Sequence, residues 1–277
     1  KIMKFPNAFH FYFFFICSLF LLIHGVQVNP TQQALQDMQK EWGSTLGWQG
    51  NVAQACDLWE GITCSPKTGI PGVTTNVTRI DLGYKQLSGT IPSTIGSLSS
   101  LKWLNLFNNY LTGTIPDTFG SLSSLESLWL SENRLTGTIP ESFGKLSSLN
   151  FLELKVNNLT GTIPDSLGNC ESLKLLFLFT NDLTGTIPNS LGRISSLEQL
   201  YLGDNSLTGT IPNSLGSLPS LKWLWIYSNN LSGMVPEWVC SIFSFNVKKN
   251  KFSCPLPSCC SSNGAPIGCP DQCVPNH

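Results

Sequence analysis

The sequence predicts an α/β solenoid, in which short coils stack into one continuous core with parallel strands along one side. Three observations carry this expectation. A 24-residue unit recurs seven times in register over residues 77–244. Within each unit, leucines alternate with other residues, the period of two expected of a short strand with one buried face. Each unit then passes through a Gly-x-Ile-Pro or Gly-x-Val-Pro step that turns the chain back. A unit this short cannot bury its own apolar face, so its neighbours must complete the core.

Residues 101–124 read LKWLNLFNNYLTGTIPDTFGSLSS and residues 125–148 read LESLWLSENRLTGTIPESFGKLSS. The inward strand positions are Leu104 and Leu106, repeated as Leu128 and Leu130, Leu152 and Leu154, Leu176 and Leu178, Leu200 and Leu202, and Leu224 and Ile226. The asparagine that follows, at Asn109, Asn133, Asn157, Asn181, Asn205 and Asn229, stands where the chain leaves the sheet. There an amide satisfies backbone groups of the neighbouring coil, so these residues are expected to form an internal ladder. The first glycine allows close backbone approach, and proline presets a turn. The second, such as Gly120 or Gly144, is expected to let the chain bend toward the next strand.

The unit LxxLxLxxNxLTGTIPxSLGxLSS resembles the plant-type leucine-rich repeat, with its (T/S)GxIP segment after the asparagine. That resemblance implies a right-handed superhelix with a parallel sheet on its concave side, a second set of short strands beside it, and caps at both ends. The first unit has Lys85 in place of the ladder asparagine, as suits a coil that adjoins a cap. Residues 31–64 are similar to the family's N-terminal cap, with an amphipathic helix, a tryptophan, and Cys56 and Cys64 enclosing W-x-G. The expected organisation is a signal peptide over 1–25, an N-terminal cap over 26–76, seven repeats over 77–244, and a truncated repeat with a Cys-rich cap over 245–277.

At the amino terminus, Lys1 and Lys4 precede an apolar run over residues 11–23, too short for a comfortable membrane span and laid out like a secretory signal. The expectation is a secreted protein, extracellular or in the cell wall, with no stable membrane anchor. Removing Cys17 with the signal leaves nine cysteines. Cys170 occupies the buried position held elsewhere by Leu122, Leu146, Ile194 and Leu218, where a free thiol acts as a small hydrophobe. The other eight, Cys56, Cys64, Cys240, Cys254, Cys259, Cys260, Cys269 and Cys273, lie in the caps and suit disulfides. Zinc held by the last four is the competing reading. Asn76, Asn158 and Asn230 begin glycosylation sequons.

Two of the three histidines, His10 and His24, lie in the signal, and His277 is the last residue. No histidine-based triad or metal centre is therefore expected, and no cofactor. Without Lys1 and Lys4 the chain carries 14 Lys and Arg against 17 Asp and Glu, a net charge of about −3, which argues against nucleic acid as a partner. Glu132 and Glu153, on neighbouring coils, are the sole candidate for a glycosidase-like carboxylate pair, and the simpler reading is two solvated charges. The chain is read as a binding protein rather than an enzyme.

The informative variation lies at strand positions pointing away from the core, which all face the concave side. Trp103, Phe107, Trp129, Phe151, Phe177, Phe179, Tyr201, Trp223, Trp225 and Tyr227 are expected to form a nearly continuous aromatic surface there. Glu126, Glu132, Glu153, Glu198 and Asp204 rim it. Aromatics on this scale point to a binding face. The leading expectation is recognition of an extracellular protein or peptide, in signalling or defence. By layout the chain is similar to polygalacturonase-inhibiting proteins and to receptor-like ectodomains. A cell-wall glycan is a further candidate ligand, and ice is the alternative of a different class. For ice the surface would be the recurring Thr-Gly-Thr, as at Thr112 and Thr114 or Thr136 and Thr138, which lines up two ranks of threonine.

Overall fold

The computed structural model describes residues 29–49, 52, 55–65, 76–260 and 268–270. The expected signal, Cys273 and His277 lie outside them. Helix α1, Pro30–Leu46, opens on Asn29, whose side-chain oxygen accepts from the Thr31 amide at 2.8 Å, and closes on Gly47 at φ 65°. Its apolar stripe, Ala34, Leu35, Met38 and Trp42, is buried against the first coil. A short helix α2, Ala55–Leu58, carries Cys56, which is bonded to Cys64 on β1, Ile62–Ser65. Trp48 and Trp59 stack with ring centroids 4.5 Å apart.

The repeats supply one strand each to a single sheet. After β2, Asn76–Asp81, come β4, Trp103–Asn105; β6, Ser127–Trp129; β7, Phe151–Glu153; and β8, Leu175–Phe177. Then follow β9, Gln199–Tyr201; β10, Trp223–Trp225; and β12, Ser244–Asn246. From β2 to β12 neighbours are parallel, and β1 closes the N-terminal edge by pairing antiparallel with β2. The opposite side of each repeat is a five-residue 3-10 turn capped by proline, as at Asp117–Ser121 after Pro116. A second line of pairing includes β3, Ser88–Thr90, with β5, Tyr110–Thr112, and β11, Ser232–Met234, with β13, Lys251–Ser253. Between those ends it consists of single bridges such as Thr138 with Thr160.

The asparagine ladder is present coil by coil. The Asn157 side-chain oxygen accepts from the Leu159-equivalent amide of the preceding coil, Leu135, at 3.0 Å. Its amide donates to the Leu130 and Leu154 carbonyls, both at 3.1 Å, so one buried side chain ties two coils together. Where the first coil lacks its own ladder asparagine, Asn109 accepts from the Lys85 and Leu87 amides.

The second glycine of each unit has a role different from the expected bend. A Cβ on Gly144 would lie 2.5 Å from the Ser166 carbonyl oxygen of the next coil, so the requirement is close packing between turns. The first glycine does need its special backbone, with Gly137 at φ 74° and Gly161 at φ 75°. Another left-handed position just before the ladder asparagine is met without glycine, by Asn108, Glu132, Val156, Thr180 and Asp204. For the β-branched Val156 and Thr180 that backbone is strained.

Among the described residues, the cap cysteines are disulfide-bonded. Cys240 is bonded to Cys259 and Cys260 to Cys269, and Cys254 is also in a disulfide. Of the four cysteines weighed for zinc, Cys259, Cys260 and Cys269 are paired in disulfides, and Cys273 lies outside the described residues. Cys170 is a free buried thiol, donating to the Phe143 carbonyl at 3.2 Å, and burial pushes its pKa up to about 11.

Candidate binding surface

Side chains alternate across a strand, so the residues flanking each inward leucine stand on the concave face. Sheet register sets their order across it. One column runs Trp103, Ser127, Phe151, Leu175, Gln199, Trp223 and Ser244. The next runs Trp129, Glu153, Phe177, Tyr201, Trp225 and Asn246. Phe107, Phe179 and Tyr227 form a third column just beyond the strand ends.

These aromatics are largely half-buried, because they cover one another. The rings of Phe177, Tyr201 and Trp225 form a continuous stack, each 4.5 Å from the next and within 9° of parallel. Neighbouring strands are about 4.8 Å apart, so in-register rings standing up from the sheet meet face to face. Their edges, rather than their faces, are therefore turned to solvent along the run. Trp129 departs from the column and stacks on Trp103 at 5.6 Å. Ser127, the register partner of Trp103, is small and buried, which leaves room for that tilt. Arg79 covers the Trp103 ring from the N-terminal side at 4.2 Å.

Glu153 corrects the predicted surface. It was expected at the solvated rim, yet it is only 7% exposed and sits between Trp129 and Phe177 in the central column. Its charge is met by Lys155, whose ammonium lies 3.1 Å from the carboxylate. The same ammonium is 5.6 Å from the ring centroids of both Phe107 and Phe179. Aromatic cover thus divides into an N-terminal group around Trp103 and Trp129 and a C-terminal stack, with an ion pair between them. Ser131, Trp129 and Trp103 add a buried hydroxyl and two buried indole N–H groups with no protein partner.

Two other acidic residues are committed to the scaffold. Glu132 accepts from the Asn108 side chain at 2.7 Å. Burial raises the Tyr227 pKa, and the charge of Asp204 and its hydrogen bond to the hydroxyl add to the rise. Tyr227 lies across the preceding coil, where a Cβ on Gly203 would come within 2.6 Å of its ring. With Glu132 turned to Asn108 and Glu153 to Lys155, the two carboxylates weighed as a catalytic pair have separate partners. Glu126 and Glu198 occupy the rim and pair with Lys102 and Lys222, at 3.1 and 3.0 Å.

Sequence reasoning missed Phe243, which is 81% exposed and packs edge-on against Trp223 at 5.6 Å. Its signal was available. It stands in the column of Lys102, Glu126, Asn150, Lys174, Glu198 and Lys222, where every other coil has a polar residue.

The threonine ranks stand on a separate side. Thr138, Thr162 and Thr186 are exposed, as are Thr136, Thr160 and Thr184. Hydroxyls of the first rank donate to glycine carbonyls of the preceding coil, with Thr136 to Gly113 and Thr184 to Gly161 both at 3.2 Å. Of the sequon asparagines, Asn76 and Asn158 are exposed and Asn230 is half-buried.

The family model described as leucine-rich repeat region matches residues 77–263. Among solved structures, the chain is similar to the plant peptide hormone receptor RGFR1 in complex with RGF2, at 38% identity and a TM-score of 0.60, over 62% of this chain and 28% of that one. It is also similar to the Arabidopsis receptor kinase HAESA in complex with the peptide hormone IDA and the co-receptor SERK1, at 33% identity and a TM-score of 0.63, over 83% of this chain and 43% of that one. The match therefore spans less than half of each receptor chain. A plant ice-binding protein shares the fold, with 23% identity and a TM-score of 0.61 over 89% of this chain and 96% of that one.

Proposed function

Because the chain belongs to the leucine-rich repeat family, with residues 77–263 matched, we propose that it is an extracellular recognition protein. Its partner is a protein or peptide, bound along the concave face by Trp103, Phe107, Trp129, Phe151, Phe177, Phe179, Tyr201, Trp223, Trp225 and Tyr227. The observation that carries this reading is the stack of Phe177, Tyr201 and Trp225. It presents a rigid, half-buried aromatic ridge whose rings lose little freedom when a partner covers them. Structures of RGFR1 and HAESA hold peptide hormones, which supports a peptide as ligand class. Ring edges facing outward favour packing with peptide side chains over a cell-wall glycan, which uses aromatic faces. Secretion and glycosylation at the exposed Asn76 and Asn158 belong to the same proposal.

Selection of a random peptide library on the intact protein tests this. Peptides that bind wild type are expected to lose at least about tenfold in affinity, or 1.4 kcal/mol, for the variant Trp129→Ala with Trp225→Ala. The variant Thr138→Lys, Thr162→Lys and Thr186→Lys should bind them as wild type does. If the selected peptides bind the aromatic variant unchanged, the concave-face reading is wrong.

A second reading, ice binding, draws on the exposed threonine ranks, whose first members are oriented by hydrogen bonds to the preceding coil. Here the expected result is thermal hysteresis in the wild-type protein and its loss in the triple lysine variant, because long charged chains interrupt the flat array. Absence of hysteresis at high protein concentration removes this reading.

A further inference from the structure

The aromatic stack ends in an asymmetry. Phe177 and Trp225 each stack on Tyr201, so both faces of the Tyr201 ring are occupied by neighbours. Trp225 has Tyr201 on one face only. On its other side the register partner in β12 is Asn246, which has no ring to continue the run. A pocket of about 360 Å³ opens at this point, lined by Trp225, Ile242, Phe243 and Asn246 and by the bonded pair Cys240 and Cys259. Its rim is Phe243, the aromatic that replaces a polar column and is left 81% exposed.

We propose that this pocket is a subsite for one aromatic side chain of the peptide partner, whose ring takes the position above Asn246 and extends the stack from Trp225. The proposal rests on the concave-face reading and names its C-terminal anchor point. Three features select an aromatic ring. Rings of the Phe177, Tyr201 and Trp225 stack are 4.5 Å apart, so the strand spacing beyond Trp225 leaves one ring's width. Ile242, Phe243, Phe245 and the Cys240–Cys259 disulfide supply apolar walls, and the polar side chains there are Ser244 and Asn246, too few for the hydroxyls of a buried sugar. Phe243, already edge-on to Trp223, can meet an incoming ring with the offset geometry aromatic pairs prefer.

The probe is N-acetyl-tryptophanamide, titrated into the intact protein while the Ile242 methyl signal is followed by NMR. A saturable shift at Ile242 is expected, with none from methyl β-glucoside. Asn246→Trp should abolish that shift by supplying the missing ring from the protein itself. Phe243→Ser, a change at an exposed position that leaves the core intact, should also abolish it. The proposal is overturned if the probe gives no saturable shift, or if methyl β-glucoside shifts the same signal. It is equally overturned if Phe243→Ser binds as wild type does, or if Ile242 shifts with protein concentration alone, which would make a second copy the occupant. Peptide selection on the whole concave face is a separate measurement, so loss of this subsite leaves that reading standing and its failure does not alter the probe result.

Discussion

Leu152→Ala is expected to lower stability by about 2–5 kcal/mol, measured by denaturant unfolding, because it removes atoms from a site with almost no room to collapse. Leu152 is 1% exposed and lies between Leu128 and Leu176 in the register of the sheet. In a solenoid each coil is held by its two neighbours, so the cavity weakens both interfaces of that coil. Trp225, on the opposite face of the sheet, is 37% exposed, and Trp129 is half-buried against Trp103. Changing both to alanine removes ring contacts but opens no cavity in the core. The pair should therefore cost less stability than Leu152→Ala while carrying the loss of peptide binding. Equal losses of stability would contradict the division into a structural and a binding face.

Asn157→Ala is the second large effect, expected at about 2–4 kcal/mol, since a buried donor left without a partner costs about 1–3 kcal/mol and carbonyls are orphaned as well. The Leu135 amide would lose its acceptor, and the Leu130 and Leu154 carbonyls would lose their donor. Asn157→Asp separates the terms, because a carboxylate still accepts from Leu135 but cannot donate to the two carbonyls. At neutral pH stability is expected in the order wild type, then the alanine variant, then the aspartate variant, because the buried carboxylate faces the Leu130 and Leu154 carbonyl oxygens with no cation beside it. An alanine variant as stable as wild type would mean that water replaces the ladder, and that the inter-coil amides do not hold the coils in register.

The ladder and the inward leucines were legible because repetition exposes them, and the caps because of their cysteines and the family resemblance of residues 31–64. Seven copies of one unit separate positions that must stay the same from those free to vary, and each constant position answers a local physical need. Cys170 was legible for the same reason, standing in a column of leucines and isoleucines and found there as a free thiol. The free columns were harder to read. Periodicity places Trp129, Glu153 and Phe177 on one face, but it does not say whether a ring stands upright or leans. That depends on the size of neighbours 24 residues away, such as Ser127, the register partner of Trp103 on which Trp129 leans.

From the repeat alone follow the solenoid, its parallel sheet, the core and the identity of the outward columns, since each is set by a period of two within a strand and a period of 24 along the chain. Tertiary structure alone decided what those outward residues do to one another. Stacking at 4.5 Å made part of the expected aromatic surface a ridge of ring edges. Glu153, which periodicity places among the outward residues, is buried there and paired with Lys155 instead of standing at a solvated rim. The end of the stack at Asn246 left a pocket that no single strand encodes. The physical reason is that burial of an outward side chain comes from the two adjacent coils, so it is a property of three aligned positions and of how their side chains pack.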